Sequence, residues 1–150
     1  MDSNGVLFAE GKAAGPQIEF VDLGLSVKWG KALIGATNGD TAESWYGNYY
    51  AWGETETKEN YDWTTYKYAN GSSKTITKYC TNQIYGNDGF TDELTQLVPE
   101  DDVATQTNSA WRMPTEVECR ELMALPSKWI TNYNGISGLN GRVFTGTNGN

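Results

Sequence analysis

Trp111-Arg112-Met113-Pro114-Thr115-Glu116-Val117-Glu118-Cys119-Arg120-Glu121-Leu122-Met123 carries the clearest structural instruction in the chain. Thr115 can cap the orphan amides at a helix start, and Glu118 three residues later completes a capping box. Cys119, Leu122 and Met123 then recur on one face at helical spacing, while Arg120 and Glu121 point away. The helix is expected to stop near Leu125, because Pro126 cannot continue it and restricts the residue before it.

Moving upstream, Pro99 sits where a second short helix can start, and Glu100, Asp101 and Asp102 suit the positive end of its dipole. A helical turn is expected at Asp92 to Leu97. Asn82, Gly86, Asn87, Asp88 and Gly89 mark a loop, and Asn70 to Ser73 form a turn ahead of a strand candidate at Thr75 to Cys80. From Trp45 to Glu54 aromatics fall on both parities, so both faces of that run are expected to pack. Val21, Leu23, Leu25, Val27 and Trp29 alternate with polar residues and Gly24, which predicts a nine-residue strand. Downstream of the helix come Trp129 and Ile130, a loop at Asn132 to Gly138 and a last strand at Arg142 to Thr145. The edge of that strand is expected to lie unpaired or to be completed by something outside this sequence. One firm helix among short strands and many turn formers gives an α+β class.

The chain has 150 residues, the size of one domain. Leu, Ile, Val and Phe together number only 26, which with a net charge of −8 would ordinarily point to disorder. Six Trp, nine Tyr and four Phe overturn that reading and predict an aromatic core anchored by Trp29, Trp52 and Trp111. Eleven Lys and Arg against 19 Asp and Glu leave no basic stripe for a phosphate backbone, so no nucleic-acid partner is expected. Histidine is absent, which excludes Ser-His-Asp, Cys-His and His-metal chemistry within this chain. The apolar patch Val6, Leu7 and Phe8 is too short for a signal-peptide core or a membrane span, so no membrane insertion is expected. Residues 1–17 read as a linker or arm ahead of a domain at 18–150. Cys80 and Cys119 could form one disulfide or remain two buried thiols, and the buried thiols are the favoured reading.

The run Phe20-Val21-Asp22-Leu23-Gly24-Leu25-Ser26-Val27-Lys28-Trp29 resembles the opening of the Fibrobacter succinogenes major paralogous domain, a family of gut Bacteroidetes and their phages. Colinear matches follow at Ile34-Gly35-Ala36, Tyr46 to Thr55, Thr77 to Cys80, Pro99 to Asp102 and Trp111 to Thr115. The resemblance implies a C-type-lectin-like fold, related to the formylglycine-generating group. Its parts would be a small twisted antiparallel sheet, one or two helices and long irregular loops. The chain departs from the family at Gly30 to Leu33, where a cysteine is usual, and at Cys119, where an aromatic is usual. It also lacks the family's later strands, so the resemblance implies a domain without its C-terminal part.

Tyr61, Trp63, Tyr66 and Tyr68 sit in a polar, loop-like context where aromatic rings can stack on a sugar or a protein. The alternative use for them is packing, since the chain is poor in aliphatics. Asp101 and Asp102, with Glu100, could offer oxygens to Ca²⁺, but three adjacent acids cannot encircle an ion, and a solvated acidic first turn explains them as well. The triplets Glu-Pro-Asn and Trp-Asn-Asp of calcium-dependent sugar readers do not occur. No paired carboxylates or low-pKa cysteine are encoded, so no enzyme activity and no obligatory cofactor are expected. The expectation is a recognition or display module, extracellular on a cell or virion surface, that binds a protein or glycan. The alternative is a structural or decoration domain held among other subunits of an assembly.

Overall fold

The computed structural model describes residues 18–150 as a small mixed fold with two two-stranded antiparallel sheets and few helices. The expected linker at 1–17 lies outside the described residues. Strand β1 (Phe20–Val21) pairs with β2 (Trp29–Gly30) in the register Phe20 to Gly30 and Val21 to Trp29. The nine-residue strand predicted across this region is therefore corrected to two short strands with a loop between them. Gly24, at φ +72°, opens that loop, and the Asp22 carboxylate accepts the Gly24 amide at 2.9 Å. Alternation survived as an in-and-out pattern of side chains in a turn, with Leu23 buried.

Helix α1 (Val103–Thr107) follows a 3₁₀ turn at Pro99–Asp101, and Asp102 is its N-cap, accepting the amides of Ala104 and Thr105. Pro99 thus starts the 3₁₀ turn and the α-helix proper begins four residues later. Helix α2 (Glu116–Met123) forms as the sequence dictates. Thr115 accepts the Glu118 amide, Glu118 accepts the Thr115 amide at 2.7 Å, and Ala124 closes the helix ahead of Pro126. The face expected to pack is only partly buried, for Met123 is 75% exposed.

Strand β3 (Ser127–Ile130) pairs with β4 (Gly141–Phe144), with Ser127 opposite Phe144 and Ile130 opposite Gly141. The last strand is therefore paired along one edge by a preceding segment of its own chain, and among the described residues no strand pairs with its other edge. Thr75 to Cys80 is not a strand, because Ile76 makes only isolated bridges to Ala69 and Gly86. Asp92 to Leu97 forms no helical turn; the Asp92 carboxylate instead accepts the amides of Tyr79, Cys80 and Leu94, which holds that segment open.

Among the described residues the buried apolar ones are Leu23, Ala42, Cys80, Ala104, Leu125 and Leu139, all small or medium, and no large side chain is fully enclosed. The aromatic core is thus realised only in part. Trp52 is 47% exposed, while Trp29 and Trp111 are half-buried. The rings pack edge-to-face at the surface of the fold, Phe20 on Trp111 at 5.4 Å and Trp45 on Tyr133 at 5.8 Å. Cys80 and Cys119 are both free thiols, Cys80 buried and Cys119 partly exposed. The chain closes on itself at its far end. The Thr147 amide donates to the Leu23 carbonyl at 3.0 Å, and the side chains of Asn148 and Asn150 donate to the Asp22 carbonyl at 2.9 and 2.8 Å.

Candidate functional site

Residues between Ala51 and Tyr85 build the site, and turn chemistry rather than regular structure places them. The Asp62 carboxylate accepts the Thr64 hydroxyl at 2.6 Å and the amides of Thr64 and Thr65 at 2.8 and 3.1 Å. An aspartate holding the amides two and three residues ahead closes a turn, and Trp63 stands at its apex. The Thr64 hydroxyl, followed by the Thr64 amide, holds the Asp62 carboxyl below its ordinary range. Gly53, at φ +75°, lets the chain pass beneath the rings of Tyr68 and Tyr79, which lie 3.0 and 3.1 Å from where a Cβ would sit. Only glycine combines that backbone angle with that clearance.

Five rings then run in unbroken edge-to-face contact. Trp63 meets Tyr66 at 5.9 Å, Tyr66 meets Tyr68 at 5.9 Å, Tyr68 meets Tyr79 at 5.6 Å and Tyr79 meets Trp52 at 6.4 Å. Interplanar angles between 74° and 89° give the perpendicular geometry that ring quadrupoles favour. The Tyr66 hydroxyl donates to the Trp52 carbonyl at 3.0 Å. Burial, with the nearby Glu54 charge second, pushes the Tyr66 phenol up to about 12, so it remains a neutral donor. Lys58 lies 5.5 Å from the Tyr61 ring centre and 5.9 Å from that of Tyr66, and its ammonium pairs with Glu54 at 2.8 Å.

Behind the rings Asp101, 3% exposed, gathers four donors. Its Oδ1 accepts from the hydroxyl of Tyr68 and the ammonium of Lys67, and its Oδ2 accepts from Lys78 at 2.6 Å and the Tyr79 hydroxyl at 2.8 Å. Burial alone would raise this carboxyl, but Lys78, Tyr68 and Tyr79 outweigh it and hold the group well below the usual carboxylate range. The Tyr79 backbone adopts φ +60°, a left-handed conformation uncommon for a bulky residue; its amide donates to Asp92, and its hydroxyl accepts the Val98 amide. The result is a wall in which the Tyr66, Tyr68 and Tyr79 hydroxyls each donate to a protein acceptor.

On its open side the wall lines a groove of about 690 Å³, within the range of ligand clefts. Of the four ring residues singled out by sequence, Tyr61, Trp63 and Tyr66 line this groove, whereas Tyr68 stands behind them on Asp101. Tyr61 is 46% and Trp63 48% exposed. Asp101 and Asp102 are adjacent but divided in purpose. Asp101 anchors the ring wall, and Asp102 caps α1 and accepts the Met113 amide at 2.8 Å. Their carboxylates are thus engaged by protein donors, and among the described residues no group of three metal-ligating acids or cysteines comes together.

Sequence reasoning missed Trp52 as a groove residue, Tyr79 as a member of the ring series, and Tyr85, 51% exposed in the groove lining. Trp52 and Tyr79 lie inside the motif runs, where the sequence points to a core anchor and to a strand respectively. Tyr85 stood alone in a turn-rich stretch with no partner at a recognisable spacing. Among the described residues no helix is long and apolar enough to cross a membrane. Comparison with protein-family models, with curated proteins and with solved structures gave no significant match to this chain.

Proposed function

We propose that this chain is a non-enzymatic recognition or display module of C-type-lectin-like architecture, working at a cell or virion surface. The groove bounded by Trp52, Tyr61, Trp63 and Tyr85 is its ligand face. The observation that carries this reading is the wall of edge-to-face rings, anchored from behind by a buried and fully paired aspartate. Large flat side chains held open in this way lose little entropy when a ligand covers them, which is the property a binding face needs. The capped helix after Trp111, the long irregular loops and the colinear family-like motifs support the lectin-like architecture. Arrays of glycans and of purified surface proteins, probed with the intact chain and with Trp63→Ala, test the reading. Saturable binding that weakens in the variant is the expected result. Silence on both arrays from the folded chain would sink it.

A second reading, a structural or decoration domain within a larger assembly, draws on exposed residues outside the groove. Val117 and Met123 on α2 are 66% and 75% exposed, and Trp129 on β3 is 59% exposed. Apolar side chains of this size at the surface suit burial against another subunit. Sedimentation of the chain with and without Val117→Lys and Met123→Lys tests this. Association that the two lysines abolish supports it, and a monomer at all concentrations that also binds no purified particle component argues against it.

A further inference from the structure

We infer that the groove takes a neutral oligosaccharide and holds it without a metal ion, by stacking sugar faces on Trp63, Tyr61 and Tyr85. This rests on the recognition reading of the same groove and adds the chemical class of its ligand. Three observations carry it.

The cations at the groove are already neutralised by the protein itself. Lys58 is paired with Glu54 at 2.8 Å and also donates to the Thr65 carbonyl at 2.8 Å, while Lys78 is paired with Asp101 at 2.6 Å. A groove built for sulfate, phosphate or sialic acid would present a cation without an internal partner.

The two buried acids are likewise engaged. Glu54 accepts the Lys58 ammonium and the Lys67 amide, and Asp101 accepts four donors, while the exposed Asp62 holds its own turn through Oδ1 alone. A hard cation needs six to eight oxygen ligands, and stripping these carboxylates would dismantle the wall behind the groove.

Beside the Asp62 carboxylate, what remains at the groove is uncharged surface of mixed character. Tyr61, Trp63 and Tyr85 are 46%, 48% and 51% exposed. The Asn82 Oδ1 accepts the Ile84 amide at 3.0 Å, and its NH₂ has no partner among the described residues. Flat π faces beside a neutral amide match a pyranose, which has apolar C–H faces and a rim of hydroxyls. An extended peptide would look for an open strand edge, but here Ile76 already bridges to both sides.

Calorimetry and tryptophan fluorescence on the intact chain test the inference. The probes are neutral oligosaccharides of glucose, mannose, galactose and N-acetylglucosamine, set beside sulfated and sialylated ones. At least one neutral probe is expected to bind, unaffected by EDTA and changed less than about twofold by raising NaCl to about half-molar. Trp63→Ala and Tyr85→Ala should each weaken it about tenfold or more, with circular dichroism unchanged, and Trp129→Ala should have no effect. Binding restricted to the charged probes, or binding lost in EDTA, overturns the inference. If no saccharide binds but a purified protein is held through Trp63, the saccharide class is wrong and the recognition reading survives; if neither binds, both fail.

Discussion

An aspartate as enclosed as Asp101 would normally take up a proton, and it stays charged because two ammonium groups and two phenols point at it. Its folded pKa is depressed, so its contribution to stability is complete above the unfolded value of about 4 and is lost as pH falls below that. Glu118 behaves likewise. Arg112 and then the Thr115 amide bring its carboxyl down to about 2, and its contribution fades between about 4 and that value. Acid titration of unfolding should therefore show a stability plateau at neutral pH and a decline below about pH 4, and the decline should be shallower in Asp101→Asn. That variant should also lose about 3 kcal/mol in urea denaturation at pH 7, since two lysines and two phenols would face a neutral amide. A loss under about 0.5 kcal/mol would mean that Asp101 does not organise the ring wall. None of this could be read from Pro99-Glu100-Asp101-Asp102 as a string. The run looks like a solvated acidic turn, and its partners, Tyr68 and Tyr79, are brought to it by loops that have no period.

Elements in this fold are short, and their caps matter more than their length. Helix α2 is only eight residues, a length that is marginal without tertiary support, so its capping box is a large part of what keeps it formed. Thr115→Ala should cost about 1 kcal/mol, read as a shift in the urea midpoint with an unchanged slope. Thr115→Ser should recover most of that. This element was legible because a capping box is a local pattern with a local cause. The β1–β2 region misled for the complementary reason. Alternation of apolar and polar residues encodes which side chains face inward, and both a strand and a wide loop satisfy it. The residue that decides between them is Gly24, whose positive φ turns the chain. The ring residues divide in the same way: the composition revealed that aromatics would dominate, but which rings face the groove depends on the turns at Asp62 and Gly53.

For the molecule as a whole, stability depends on bringing distant segments together around a thin core. Gly146 is buried against β1's following loop, and a Cβ there would lie 2.6 Å from the Leu23 carbonyl oxygen and 2.7 Å from its Cα. Gly146→Ala should force the two segments apart, lowering the thermal midpoint by about 5 °C or more, and amide exchange should speed up at Thr147. An unchanged midpoint would show that this closure adds nothing. Replacing both Asn148 and Asn150 by alanine removes two donors to one carbonyl, which should cost about 2 kcal/mol without moving a backbone atom of the groove.

The clasp between Asp22 and the segment at 146–150 also has a mechanical meaning. A pull on a handle joined near residue 18, opposed by one joined at residue 150, would bear first on the hydrogen bonds at Leu23 and Asp22. While those bonds last, the traction bypasses the rest of the chain, and the groove keeps its shape under strain. In a force-clamp experiment the clasp should give way as a first small step, earlier in the Asn148→Ala and Asn150→Ala double variant, with the ring wall yielding only afterwards.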